Sequence, residues 1–179
     1  MLGTIAWFEV SSRLRRVSTW VYFVVFFALA FLMMNVAGGA FPGGAVNIGV
    51  GGKANVNSPY ALHTFITIFA HFGIIVTGAV LGRAVYQDFE NGAYPLFFTK
   101  PITKAQYLGG RFLGAFAIML AIFAGLGLGC WLGALMPWLD QSRIGHNHAA
   151  AYLLPYLTSV IPNLLFSGVI FFTLAALVR

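Results

Sequence analysis

Four long apolar runs dominate this chain and leave it few ways to fold. A helix crossing a hydrocarbon core of about 30 Å needs roughly 20 apolar residues, because no backbone polar group can stay unpaired in lipid. The first run extends from about Val17 to Ala37, with Trp20 and Tyr22 near one interface. The second extends from about Tyr60 to Gly82, behind an N-cap serine, Ser58, and a first-turn proline, Pro59. The third extends from about Gln106 to Leu135 and is stopped by Pro137; Thr103 and Gln106 have capping-box spacing at its entry. The fourth extends from about Ala149 to Val178, with Pro155 near its start and Pro162 inside it, where a missing backbone donor predicts a kink. Only 8% of residues are charged and 60% are hydrophobic, against about 25% charged in soluble domains. A soluble enzyme and a disordered tail are both excluded. The expected fold is all-α: a polytopic membrane helical bundle forming one transmembrane domain over residues 1–179.

The net charge of +6 does not point to nucleic acid, because the basic residues lie between apolar runs and form no stripe. Their distribution reports topology instead. With the N-terminus in the cytoplasm, Arg13, Arg15, Arg16, Arg83, Lys100, Lys104, Arg111 and Arg179 fall inside, and Lys53 and Arg143 fall outside. The expectation is a multi-pass protein of the cell (inner or plasma) membrane. The small residues Ala37 to Ala40 could end a cleaved signal, but the run before them is longer than a signal's apolar core of about 7–15 residues. Arg15-Arg16 as a twin-arginine export signal is weaker still. Cys130, alone in an apolar run, can form no internal disulfide and reads as a packing residue.

Residues 3–16 pattern differently. On a helical wheel Glu9, Ser12, Arg13 and Arg16 share one face, and Trp7, Val10, Leu14 and Val17 share the opposite one. This predicts an amphipathic helix in the headgroup layer, with Arg15 snorkelling from its flank. Glu9 and Arg13 have the favourable i, i+4 order. An extended basic flank is the alternative. Between the first two runs, Gly38 to Pro59 carries seven glycines in its first fifteen residues, which predicts a loosely structured loop. Its Gly51-Gly52-Lys53 is not a phosphate loop, since Asn47 and Ala54 stand where that motif needs Gly and Ser or Thr.

Polar groups inside spans are functional candidates. His63, Thr67 and His71 in the second span are the candidates for lining a path, with Thr64 and Thr77 nearby. The other three runs contain no histidine and no acid, so neither a metal nor a haem site is expected, and no cofactor is implied. His146-Asn147-His148 lacks a third ligand nearby. Glu9, Asp88, Glu90 and Asp140 all lie outside the apolar cores, which argues against proton-coupled transport. No hydrolase triad pattern or H-E-x-x-H stands in the chain, and no enzyme activity of its own is expected. Gly110, Gly114, Gly125, Gly129 and Gly133 in the third run, and Gly78 and Gly82 in the second, have small-xxx-small spacings that permit close helix packing. Packing within the chain is favoured over a subunit face.

The connecting stretch 83–105 is expected to be a cytoplasmic loop. It is too long for a tight connector, and it joins Asp88 and Glu90 to the apolar cluster Tyr94, Leu96, Phe97 and Phe98. Such a cluster fits either a partner surface or an interfacial belt. Here the chain resembles the permease subunits of type-2 ATP-binding-cassette exporters. The likeness rests on the elbow-like Trp7-Phe8-Glu9 to Arg16, on Asp88-Phe89-Glu90-Asn91-Gly92, on Leu96-Phe97-Phe98-Thr99-Lys100-Pro101-Ile102-Thr103-Lys104, and on Tyr107-Leu108-Gly109-Gly110-Arg111. The resemblance implies that Asp88, Phe89, Glu90, Gly92, Leu96, Phe97 and Pro101 form a coupling element docking on a separate cytoplasmic ATPase. It also implies a second permease half, as a homo- or heterodimer, among membrane lipids. Such permeases usually have six spans per half, and this sequence shows four, so an N-terminal portion of a longer permease is expected. A four-span accessory protein without transport, and a haem-binding electron-transfer subunit using His63 and His71, are the rival readings.

Overall fold

The computed structural model describes residues 1–41, 54–90 and 103–177, and for residues 85–90 the backbone alone. Among the described residues all regular structure is helical. Helix α1 is Leu2–Leu14, α2 is Val17–Ala37, α3 is Pro59–Phe72, α4 is Ile74–Glu90 and α5 is Lys104–Ala134. A 3-10 turn at Gln141–Arg143 precedes α6 (Ala149–Pro155), a π-helical stretch (Tyr156–Val160) and α7 (Ile161–Leu177). Three of these are long and apolar enough to cross a membrane: α2, α5 and the continuous Ala149–Leu177. Helices α3 and α4 make a fourth span if read together through a 49° bend. The described residues thus supply three or four candidate membrane spans, as a membrane-spanning protein requires.

The helix starts follow from their caps. The Thr103 amide donates to Gln106 Oε1 (3.3 Å) while the Gln106 amide donates to Thr103 Oγ1 (3.2 Å), a reciprocal capping box at the head of α5. Ser58 Oγ accepts from the Ala61 amide at 3.3 Å, and α3 begins at Pro59. The corner between α1 and α2 is closed by side chains. Thr19 Oγ1 donates to the Arg13 carbonyl at 2.8 Å and Trp20 Nε1 to the Leu14 carbonyl at 2.9 Å, satisfying acceptors that the end of α1 leaves open.

Three expectations are refined. The second span breaks at Gly73, next to the turn where His71 Nδ1 bonds the Thr67 carbonyl at 2.7 Å; glycine and a side chain in the ladder are ordinary causes of a kink. Residues 83–90 extend α4 rather than beginning the loop, since neither Gly nor Pro interrupts them before Gly92. The disturbance at Pro162 takes the form of the π stretch before it, where the Ile161 amide donates to the Tyr156 carbonyl five residues back.

The chain divides into two compact units, the first comprising Met1–Trp20, Gly73–Ala121 and Asn163–Arg179, the second Val21–Phe72 and Ile122–Pro162. In the first, α1 lies directly on the opening turns of α5. A Cβ at Gly110 would stand 2.8 Å from Ile5 Cβ, and one at Gly114 would stand 2.7 Å from the Ala6 carbonyl oxygen. Phe112 and Phe172 meet edge to face at 5.3 Å. In the second, α2 lies along α5 with its residues 23, 27 and 31 set against Gly125, Gly129 and Gly133. Both series advance by four, so backbone faces backbone at each turn, and packing of this kind holds helices together in lipid. Phe26 on Phe123 (4.9 Å) and the fully buried Met34, Ile122 and Leu126 fill the space beside this seam. The glycines of α5 thus serve packing within the chain. Among the described residues Gly78 and Gly82 do not form a comparable seam: Gly78 makes ordinary contact with the Phe171 ring, and a Cβ at Gly82 would meet none of them within 4 Å.

Candidate functional site

A buried ion cluster ties α1 to α4 and α5 within the first unit. Glu9 and Arg13, one turn apart on α1, are only 3% and 6% exposed, and Arg111 on α5 is 6% exposed. One carboxylate oxygen of Glu9 accepts from Arg13 Nε and the other from Arg111 Nη1. Arg13 Nη1 donates to the Val80 carbonyl of α4 at 2.9 Å. Residues 2–14 are helical, and the charged edge of Glu9 and Arg13 faces the protein while Trp7 (70% exposed) and Phe8 (60%) face outward. Burial pulls the Arg13 guanidinium below its usual pKa, and the Glu9 carboxylate opposes that fall. The group stays cationic at any physiological pH. Sequence reasoning paired Glu9 with Arg13 but missed Arg111. The signal for it is a lone arginine between glycines that admit a helix, Gly110 and Gly114.

In the second unit, His63 Nε2 lies 3.1 Å from Thr158 Oγ1 and 3.2 Å from Ser159 Oγ, so the first path candidate meets the π-helical stretch. Thr67 is half-buried with its hydroxyl lacking a partner, and His71 is exposed. A π-helical turn, with its widened ladder, often accompanies a functional site.

Tyr156, unremarked in the sequence, is half-buried in this unit and bonds α5. Its hydroxyl accepts from the Gly127 amide at 2.8 Å and donates to the Phe123 carbonyl at 2.8 Å. Those two groups are the i and i−4 partners of α5's own ladder. Gly127 admits the phenol, since a Cβ there would stand 2.8 Å from its oxygen. Tyr156→Phe is therefore expected to cost little, within about 1 kcal/mol, because the freed groups can pair with each other. Gly127→Ala is expected to cost about 1–3 kcal/mol by crowding the phenol, and less in the Tyr156→Phe background. A double-mutant cycle read by unfolding in mixed micelles checks this; strictly additive effects would contradict the insertion.

The loops of the second unit are clasped by Asn57. Its Nδ2 donates to the Gly145 carbonyl (2.7 Å) and to Asn147 Oδ1 (2.8 Å), and its Oδ1 accepts from the Gly145 amide (2.7 Å). Trp138 Nε1 donates to Asn35 Oδ1 at 2.6 Å. Asp140 accepts from the Ser142 amide and hydroxyl, bonds that hold its carboxyl below the usual range. His146 and His148 meet edge to face at 5.0 Å, and no group of three or more metal-ligating residues stands among the described residues.

Of the coupling residues, Asp88, Phe89 and Glu90 lie on the last turn of α4, and Gly92, Leu96, Phe97 and Pro101 lie outside the described residues. Gly51-Gly52-Lys53 lies outside them too. Comparison with protein-family models, with curated proteins and with solved structures finds nothing that matches this chain.

Proposed function

We propose that the chain is the membrane-spanning permease component of an ATP-driven exporter, with its N-terminus in the cytoplasm and α1 as an interfacial elbow. Hydrolysis would occur in a separate ATPase subunit docked on the segment between α4 and α5, and a second permease half would complete the path. One observation carries this reading furthest. The Glu9 cluster grips α1, Arg111 near the head of α5, and the Val80 carbonyl in the middle of α4. Of these elements α4 and α5 flank the segment between Glu90 and Lys104, and α1 is tied to both. A push on that segment would move them as one body, which is what transport coupling through a docked subunit requires. The sequence likeness of that segment supports the same assignment. His63, Thr67 and His71 remain the proposed path-lining groups: none is fully buried in its own unit, and polar groups in a span need a wet or protein-covered surface.

The test is to purify the chain in mild detergent and measure vanadate-sensitive ATP hydrolysis in the complex, with the bound ATPase identified by mass spectrometry. Phe97→Asp is expected to lower both ATPase recovery and ATP-dependent export by about tenfold or more, as loss of a buried apolar anchor does at an interface. The purified chain should keep its helical circular dichroism. A chain that purifies without any ATPase, or a Phe97→Asp variant that retains full recovery and export, would favour the four-span accessory reading.

A further inference from the structure

The histidines of the chain differ in what their ring nitrogens do. His63 Nε2 is engaged by the hydroxyls of Thr158 and Ser159, and His71 Nδ1 by the Thr67 carbonyl. His146 and His148 are exposed, and among the described residues no hydrogen bond occupies their ring nitrogens. The backbone that bears them is held from behind. It is extended at Ile144 (φ −105°, ψ 121°) and at His148 (φ −111°, ψ 121°). The buried Asn57 bonds both the amide and the carbonyl of Gly145, and Asn57 and Tyr152 both donate to Asn147 Oδ1. A Cβ at Gly145 would press on Asn55 and Asn57. Positions 145 and 147 therefore face Asn57. The alternation of extended backbone then turns 146 and 148 together to the opposite side.

We infer that His146 and His148 chelate a divalent transition-metal ion, copper(II) most tightly, with water in the remaining positions. Imidazole suits copper, zinc and nickel, and among these a given nitrogen site holds copper(II) best. Two imidazoles on one ion at about 2.0–2.1 Å, with about 90–110° between them, hold their ring centres about 4.5–5.2 Å apart. The rings of His146 and His148 already stand 5.0 Å apart. Their planes differ by 69°, and bringing a nitrogen of each to one point takes side-chain rotation, which exposed residues make readily. The basic residue nearest in the chain, Arg143, is drawn to Asp140 at 3.6 Å, which offsets its repulsion of a cation. With two protein ligands, affinity depends on their being held ready. The Asn57 clasp does this by fixing the backbone before the ion arrives. The inference stands on that clasp and on the free rings, and does not depend on the exporter reading.

The test is calorimetric titration of the full chain, purified in mild detergent on a tag without histidine, with copper(II), zinc and calcium salts. One copper(II) per chain is expected, bound more tightly than zinc. Calcium, which takes oxygen ligands, is expected not to bind at this site. Joining two ligands on one support raises affinity by about a hundredfold or more. His146→Gln and His148→Gln are therefore each expected to lose about that much copper affinity, and the double variant little more. Two weak sites, of which each single variant removes one and leaves the other unchanged, would overturn the inference. Undiminished copper binding in the double variant, or none in the wild type, would overturn it as well. Both residues are exposed, so the variants are expected to fold. Should either fail to do so, electron paramagnetic resonance of the copper-loaded wild type decides: two equatorial imidazole nitrogens support the site, and one or none refutes it.

Discussion

Glu9→Ala is expected to destabilise the folded chain by about 3–5 kcal/mol, because it strands two buried guanidiniums without their shared counter-ion. Both Glu9 oxygens are in use, one on Arg13 and one on Arg111, so no half of the interaction survives. Glu9→Gln is expected to fall only slightly short of that loss. It keeps one accepting oxygen, but its amide nitrogen would point a donor at a guanidinium that can only donate. The measurement is fraction folded against denaturing detergent in mixed micelles, followed by circular dichroism. A loss under about 1 kcal/mol for Glu9→Ala would show that water reaches the cluster and screens it as it screens a surface pair. The triple variant Glu9→Leu, Arg13→Met, Arg111→Met is expected to return near wild-type stability, since apolar groups of similar size often replace a buried ion cluster without loss. Under the exporter reading that variant would nonetheless lose transport, because α1 would no longer be fixed in direction relative to Val80 and Arg111.

Much of this architecture could be read from spacing alone, and the reasons are local. The α2 span coincides with the apolar run from Val17 to Ala37 because a helix in lipid can end only where its polar groups find partners. The heads of α3 and α5 were legible because Ser58-Pro59 and Thr103 to Gln106 satisfy amides within three residues of themselves. What could not be read depends on contacts far apart in the chain. Arg111 lies 102 residues from Glu9, and no periodicity within either helix links them. The break at Gly73 was masked because a glycine inside a long apolar run is common in spans and bends only some of them. Tyr156 looked like one more aromatic until its oxygen was found between Phe123 and Gly127, thirty-three and twenty-nine residues away. The candidate coupling residues after Glu90 rest on the sequence resemblance, and the ion cluster is what ties their neighbouring helices into a mechanical unit.

The glycine seam between α2 and α5 carries the second large expectation. Gly129→Leu is expected to cost about 3 kcal/mol, at the upper end of what overpacking does in a well-packed core. Even the first carbon of that side chain would press on the Phe27 carbonyl oxygen and stand 3.0 Å from both Ala30 Cβ and the Phe31 amide nitrogen. Two of those three atoms are backbone, so no rotamer change can relieve the contact; α2 must move away. Separation would then weaken the equivalent contacts at Gly125 and Gly133, one helical turn to either side, and the loss would spread along the seam. Gly82→Ala is the internal control. Nothing among the described residues lies within 4 Å of its added carbon, and alanine is favoured over glycine in a helix by about 1 kcal/mol, so that variant is expected to be neutral or more stable. Both are read by the same detergent titration as Glu9→Ala. Equal behaviour of the two variants would mean that the spacing of small residues, and not the backbone contact they permit, is all that the glycines share. A large loss at Gly129 beside none at Gly82 assigns the close packing to the α2–α5 seam and not to Gly82.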